Sequence, residues 1–181
     1  MEKENGVVKE LLSWIIYILV VVGISFVIVT FVGQRTKVQG SSMETTLHDG
    51  DNLIVDKISY RFREPERYEI IVFPYQYQEN TYYIKRIIGL PGETVQILDG
   101  YVYINGVMLD EHYGAEVMNL AGIAEEPIVL GEDEYFVLGD NRNHSADSRD
   151  PSVGVLKREN LMGRAFVRIW PLGSAGLIEH E

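Results

Sequence analysis

Three short stretches of this sequence carry side chains of the kind that make and break acyl bonds. Residues 40–47, Gly-Ser-Ser-Met-Glu-Thr-Thr-Leu, place small hydroxyl residues directly after a glycine. A tight turn there could present one Oγ, with backbone N–H groups facing a bound carbonyl. An inert Ser/Thr-rich loop has the same composition. Residues 82–89, Tyr-Tyr-Ile-Lys-Arg-Ile-Ile-Gly, set two adjacent cations in an apolar run. On a strand, Lys85 shares a face with Tyr83 and Ile87, and Arg86 shares the other with Ile84 and Ile88. One of the two charges is therefore expected to point into apolar surroundings. If it is Lys85, desolvation lowers its pKa and the neutral amine becomes a usable base. The alternative is an edge-strand lysine whose stem covers apolar surface while its head stays in water.

The third stretch is residues 139–149, Gly-Asp-Asn-Arg-Asn-His-Ser-Ala-Asp-Ser-Arg, a polar loop after the apolar block 135–138. It offers Asp140, Arg142, His144, Ser145, Asp147 and Arg149. Such a loop can be merely solvated, or its Asp and Arg can pair and hold it rigid around a site. His144 would also allow a Ser-His-Asp triad with Ser42, but no scaffold cue positions that ring, so Lys85 ranks ahead of it as the base. His48, His112 and His180 are scattered and suggest no metal cluster. The absence of cysteine excludes a thiol nucleophile, a Cys-ligated metal and a disulfide scaffold.

These stretches need elements to position them. Apolar residues after residue 51 alternate or run in short blocks: 52–55, 69–73, 81–88, 94–98, 101–104, 135–138 and 164–170. Tyr, Ile, Val and Phe dominate them, which favours pleated, half-buried strands. Asn105-Gly106, between residues 101–104 and 107–109, is a two-residue hairpin signal. Helical periodicity is weak outside the amino-terminal region, with residues 157–161 the one other candidate. Residues 111–127 are acidic and poorly patterned, as an insertion on a β-rich body would be.

The most extended feature is the run from Leu11 to Gln34, 24 residues without a charge in a chain of 181. As a helix it would reach roughly 36 Å, more than the ~30 Å hydrocarbon core of a bilayer. It is too long for a cleavable secretory signal, and the first alanine is Ala115. An uncleaved membrane anchor is expected, with Trp14, Tyr17 and Phe31 near its ends. Lys3 and Lys9 precede the run and Arg35 and Lys37 follow it, so charge does not orient the span. The net charge of −11 argues against a nucleic-acid partner.

Taken in order, the anchor, the serine turn, the lysine strand and the Gly-Asp-Asn loop resemble the bacterial type I signal peptidases, over nearly the whole chain. Residues 40–47 resemble the family's GxSMxPTL box, which implies Ser42 as nucleophile. Residues 50–57 resemble the next box, a strand beside the substrate groove. Residues 83–93 resemble the lysine box, which implies Lys85 as general base. Residues 139–149 resemble the GDNxxxSxDSR box. There Ser145 would hydrogen-bond the lysine amine, and Asp147 and Arg149 would pair, with Asp140 also in support. The Ser42 N–H, and a backbone N–H at Gly40, would serve the oxyanion. Two departures stand out: Thr45 replaces the family's proline, and Tyr68-Glu69 stands where Gly-Asp is common.

The resemblance implies a mainly β fold, a β-rich catalytic domain carried on one N-terminal transmembrane helix. It divides the chain into a short cytoplasmic segment (1–10), the helix (11–34) and an extracytoplasmic domain (35–181), with a small subdomain near 100–128. Length and a single anchor suit the Gram-positive members. The implied activity is a Ser/Lys endopeptidase that removes signal peptides from exported preproteins after small residues. It needs no metal or cofactor, and its partners are preproteins and the lipid bilayer. The oligomeric state is not implied. Two alternatives are a specialised relative serving a surface-fibre (pilus) system and an inactive, membrane-tethered binding module. A self-cleaving repressor would need a DNA-binding segment in place of the anchor.

Overall fold

A computed structural model describes residues 2–27, 33–114 and 116–180. Helix α1 (Glu2–Val27) holds a stretch, Lys9–Phe26, long and apolar enough to cross a membrane, and none of it is buried against the rest of the chain. The uncharged run does not stay helical to its end. Gly33 and Gln34 already belong to strand β1 (Gly33–Lys37), while residues 28–32, Phe31 among them, lie outside the described residues. Lack of charge marks what can enter a membrane, but the backbone follows the pairing available, and β2 (Asn52–Asp56) pairs with β1 along its length.

The larger sheet also contains β3 (Ile70–Pro74), β4 (Tyr82–Gly89), β9 (Glu134–Leu138), β10 (Leu156–Lys157), β11 (Gly163–Trp170) and β12 (Gly176–Leu177). Its strands run in the order β1-β2-β11-β3-β4-β9-β10, with β12 paired to β11, and every pairing is antiparallel. The second sheet is β7-β6-β5-β8, from β5 (Thr94–Leu98), β6 (Tyr101–Ile104), β7 (Val107–Met108) and β8 (Ile128–Val129). It begins at Thr94, ahead of the subdomain near 100–128 that the resemblance implies. β6 and β7 form the expected hairpin, with Asn105 and Gly106 both at positive φ (52° and 80°), the geometry this turn demands. Residues 157–161 do not form an α-helix; they hold the end of β10 and a single 3-10 turn at Arg158–Asn160.

Strand β4 is the keystone because it touches all three apolar clusters. Ile88 packs with Val95, Ile97, Phe136 and Leu138, and Ile87 packs with Ile71, Phe73, Tyr135 and Val137. Ile84 lies against Met43, Leu47, Leu53, Ile70 and Ala165. At its end, Gly89 lets the two sheets meet, since a Cβ there would fall 2.5 Å from Val95 Cγ2. β4 is flanked by β3 and β9 and covered on both sides, so Lys85 and Arg86 are both buried, at 3% and 2% exposure. Alternation alone places one of them inside; a strand covered on both faces buries both.

The Tyr68-Glu69 departure also has a structural setting. Tyr68 sits at φ 73°, the left-handed region in which glycine is unstrained. Glu69 is buried and accepts from Tyr60 Oη (3.0 Å), Arg164 Nη1 (2.9 Å), the Glu66 N–H (3.0 Å) and Arg63. Burial pushes its carboxyl up, but those bonds outweigh burial and hold it at about 2.

Candidate active site

Three segments meet beside Lys85. The first is the loop between β1 and β2, closed at its base by Val38 N–H to Asp51 O (2.8 Å) and Gly50 N–H to Val38 O (3.0 Å). Met43 and Leu47, four residues apart and joined by a 2.8 Å backbone bond, are plugged into the core. This leaves Ser42 half-buried at the lip, with Thr45 exposed between the two plugs. The loop is braced by Asp49 Oδ1, which accepts the Gly40 N–H at 2.9 Å. Asp51 braces it too, accepting the His48 N–H at 3.0 Å and Arg168 Nη1 at 2.8 Å.

The second segment is β4. Lys85 Nζ stands 2.7 Å from Ser42 Oγ and donates to its neighbour's carbonyl, Ile84 O, at 2.9 Å. The Tyr83 ring lies 5.2 Å from the same nitrogen and stacks on Tyr75. Burial lowers the Lys85 amine to about 8, while the carboxylates of Asp147 and Asp140 pull it the other way.

The third segment is the 139–149 loop, joined to the first through the backbone. Asn141 N–H donates to Ser42 O at 3.1 Å, and Asn141 Nδ2 donates to Ser41 O at 3.1 Å. Gly139 is wedged between the two loops; a Cβ there would be 2.5 Å from Ser42 O and 2.2 Å from Ser145 Oγ. Its N–H is held by Asp147 Oδ2 at 3.0 Å. Arg149 grips both oxygens of Asp147, at 2.8 and 2.9 Å. Asp140, fully buried, receives Arg86 Nε and Nη2 at 2.8 and 2.7 Å and the Thr46 hydroxyl at 2.6 Å. Arg86 also donates to Thr46 Oγ1 at 3.3 Å and to the carbonyls of Tyr68 and His180, so it binds both loops to the sheet on the side of β4 opposite Lys85.

The structure thus brings Ser42, Lys85, Asp140, Asp147 and Arg149 into one assembly, with two corrections. The Gly40 N–H is committed to Asp49, so of the two expected oxyanion donors only the Ser42 N–H lacks an acceptor among the described residues. Ser145 Oγ is buried with no hydrogen-bond partner among them, and the lysine amine instead meets Ser42 and Ile84. His144 borders the cleft with its side chain exposed, and Ser42 Oγ is held by Lys85 rather than by an imidazole. Sequence reasoning missed Asn141 and gave Arg86 no role. Both stand next to a residue it did single out, but only the fold shows what each one grips.

A cleft of about 500 Å³ opens onto the pair. One wall is the chain from Thr36 to Ser42, the other the first half of β4 with Tyr83 and Lys85. With the serine and the buried amine among their residues, these two walls form a slot suited to an extended peptide. The signal peptidase family, peptidase S26, matches residues 11–170, most of the chain and all three of the segments that meet beside Lys85. The chain belongs to that family. It is 48% identical to a probable signal peptidase I-2 of Synechocystis sp. over 84% of this chain and 70% of that protein. It is 34% identical to a signal peptidase I of Bacillus licheniformis over 94% of each. A crystal structure of a signal peptidase I from Enterococcus faecalis V583 is 37% identical, with a TM-score of 0.48, covering 56% of this chain and 97% of that one. Membership makes the chain a peptidase, and among the described residues α1 is the one helix long and apolar enough to cross a membrane. Nothing in these likenesses favours a surface-fibre specialist or an inactive binding module.

Proposed function

We propose that Ser42 and Lys85 are the nucleophile and general base with which this peptidase removes signal peptides from preproteins. The observation that carries the reading is the 2.7 Å contact between Ser42 Oγ and a lysine amine that is buried and lowered to about 8. A neutral Lys85 accepts the Ser42 proton as Oγ attacks the scissile carbonyl, and then passes it to the departing amine. The acyl-enzyme is opened by a water whose proton goes to the same amine. The Ser42 N–H faces the developing oxyanion, a contribution of roughly 3–4 kcal/mol for a well-placed donor. Asp140, Asp147 and Arg149 hold the loop that packs on Ser42. Ser145, whose Oγ has no partner among the described residues, adds a free hydroxyl beside Gly139.

The substrate enters as an extended segment between the two walls of the cleft. Selectivity for small side chains is set where the substrate residue before the scissile bond meets the cleft residues around Ser42 and Lys85. α1 anchors the chain in the bilayer and residues 35–181 form the catalytic domain on the extracytoplasmic face. Support comes from proximity: Ser42 follows the end of β1 by five residues, so the site stays close to the membrane in which the substrate's apolar segment resides. The bond to be cut emerges on the side to which the protein is exported. Purified full-length chain in detergent should release a mature protein whose new amino terminus, read by mass spectrometry, follows a small residue. Protease added outside intact spheroplasts should digest residues 35–181, and full protection would refute the orientation.

A further inference from the structure

The acidic segment after β7 takes no part in the chemistry above, yet most of its polar contacts run to one loop. Glu111 forks onto the Arg142 guanidinium, Oε2 receiving Nη2 at 2.7 Å and Oε1 receiving Nη1. Arg142 is 3% exposed, and its Nε donates to the Gly139 carbonyl at 3.0 Å. Two residues on, the Tyr113 ring lies 4.0 Å from the Arg86 guanidinium carbon. Further along, Asn143 Nδ2 donates to Glu116 Oε2 (2.8 Å) and Val117 O (3.1 Å), and Asn143 Oδ1 accepts the Asn119 N–H (2.9 Å). Arg149 Nη1 donates to Leu120 O at 3.2 Å, and the Ile123 N–H donates to Arg149 O at 3.0 Å. Gly122, at φ 58°, lets the two chains lie flush, since a Cβ there would be 2.3 Å from Arg149 O.

These bonds grip the loop on both sides of the stretch that carries Ser145 and Asp147. Apolar packing alone would have sufficed to seat an insertion, and Met118 and Ala124 already supply it. A buried, forked ion pair adds little net stability but dictates orientation, because a planar guanidinium accepts a carboxylate in few geometries. We infer that Glu111 is a positioning residue: acting through Arg142, it makes residues 110–114 and 116–123 a strap that holds Gly139 and the loop beyond it against Ser42, keeping water from Lys85. The inference rests on the Ser42–Lys85 reading.

The test is cleavage of a preprotein by the full chain in detergent, with kcat, KM and pH profile measured for Glu111→Gln, Glu111→Asp and Arg142→Lys, and folding followed by thermal melts. Glu111→Gln is expected to lower kcat about tenfold and leave KM within about twofold, as misplacement of reacting groups does. Its pH profile should move upward, because water reaching Lys85 removes the desolvation that lowers the amine, a larger influence than the Asp147 and Asp140 carboxylates on the same loop. Glu111→Asp should recover part of the rate. Wild-type kcat and pH profile in folded Glu111→Gln, with only the melt lowered, would overturn the inference. Should Glu111→Gln not fold, Arg142→Lys decides in its place: it keeps the charge but loses the fork, and wild-type kinetics in it would overturn the inference equally. Failure of the underlying reading looks different, since Ser42→Ala would then cleave as the wild type does.

Discussion

Lys85 Nζ and Ser42 Oγ lie 2.7 Å apart although 43 positions separate them in the chain. The lysine belongs to β4, which is flanked by strands and covered by apolar clusters, and the serine to a loop plugged into the same core by Met43 and Leu47. The backbone that carries each group is tied into the core, Lys85 on a central strand and Ser42 between buried neighbours of its loop. The contact is therefore preorganised and needs no assembly when the substrate arrives.

Burial of the amine dictates the pH response. With Lys85 at about 8, roughly a tenth of molecules carry it neutral at pH 7. kcat/KM should rise about tenfold per pH unit below that value and level off above it. Steady-state cleavage between pH 6 and 9.5 measures this directly. A flat profile would exclude Lys85 as the base.

The same burial shows in stability, with a definite sign. Lys85 titrates at about 8 in the folded chain against an ordinary 10.5, so between those values the unfolded chain binds more protons. Folding stability should therefore rise with pH across that window as the penalty of burying a charge disappears. Lys85→Met carries no such penalty. Relative to that variant, the wild type should gain up to about 3 kcal/mol between pH 8 and 10.5. Urea unfolding of both chains at several pH values reads the difference, and parallel curves would show that the amine is not desolvated.

Gly139 has no room for a side chain. A methyl group there would press on the Ser42 carbonyl at 2.5 Å, and backbone cannot yield as a flexible side chain can. Gly139→Ala should displace the Ser42 turn and lower kcat by about a hundredfold, the order expected for a 1 Å misplacement. The melt should fall by less than a core cavity would cause. Cleavage assays and calorimetry on that single variant separate the two effects.

How far the chain could be read without its structure follows from the range of the forces involved. Strands such as residues 94–98 and 101–104 were legible because alternation is local, and the Asn105-Gly106 turn because both residues tolerate positive φ. β1 was not, since Gln34 looks like the tail of an apolar span until its partner Val55 is known. Two-residue strands such as β8 and β10 exist only through remote partners. At the site, Ser42 and Lys85 stood out by residue type and by resemblance. The engagement of Gly40 by Asp49 and the role of Arg86 as a tie between loops depend on tertiary contacts that no local pattern encodes.

The most direct measurement is the cleavage rate of a preprotein by purified full-length Ser42→Ala and Lys85→Met chains in detergent, each confirmed as folded by its melt. A Ser/Lys pair working as one unit predicts a loss of at least about a thousandfold in either variant, comparable in size because removing one partner disables the other. More than about a tenth of wild-type activity in either folded variant would contradict it.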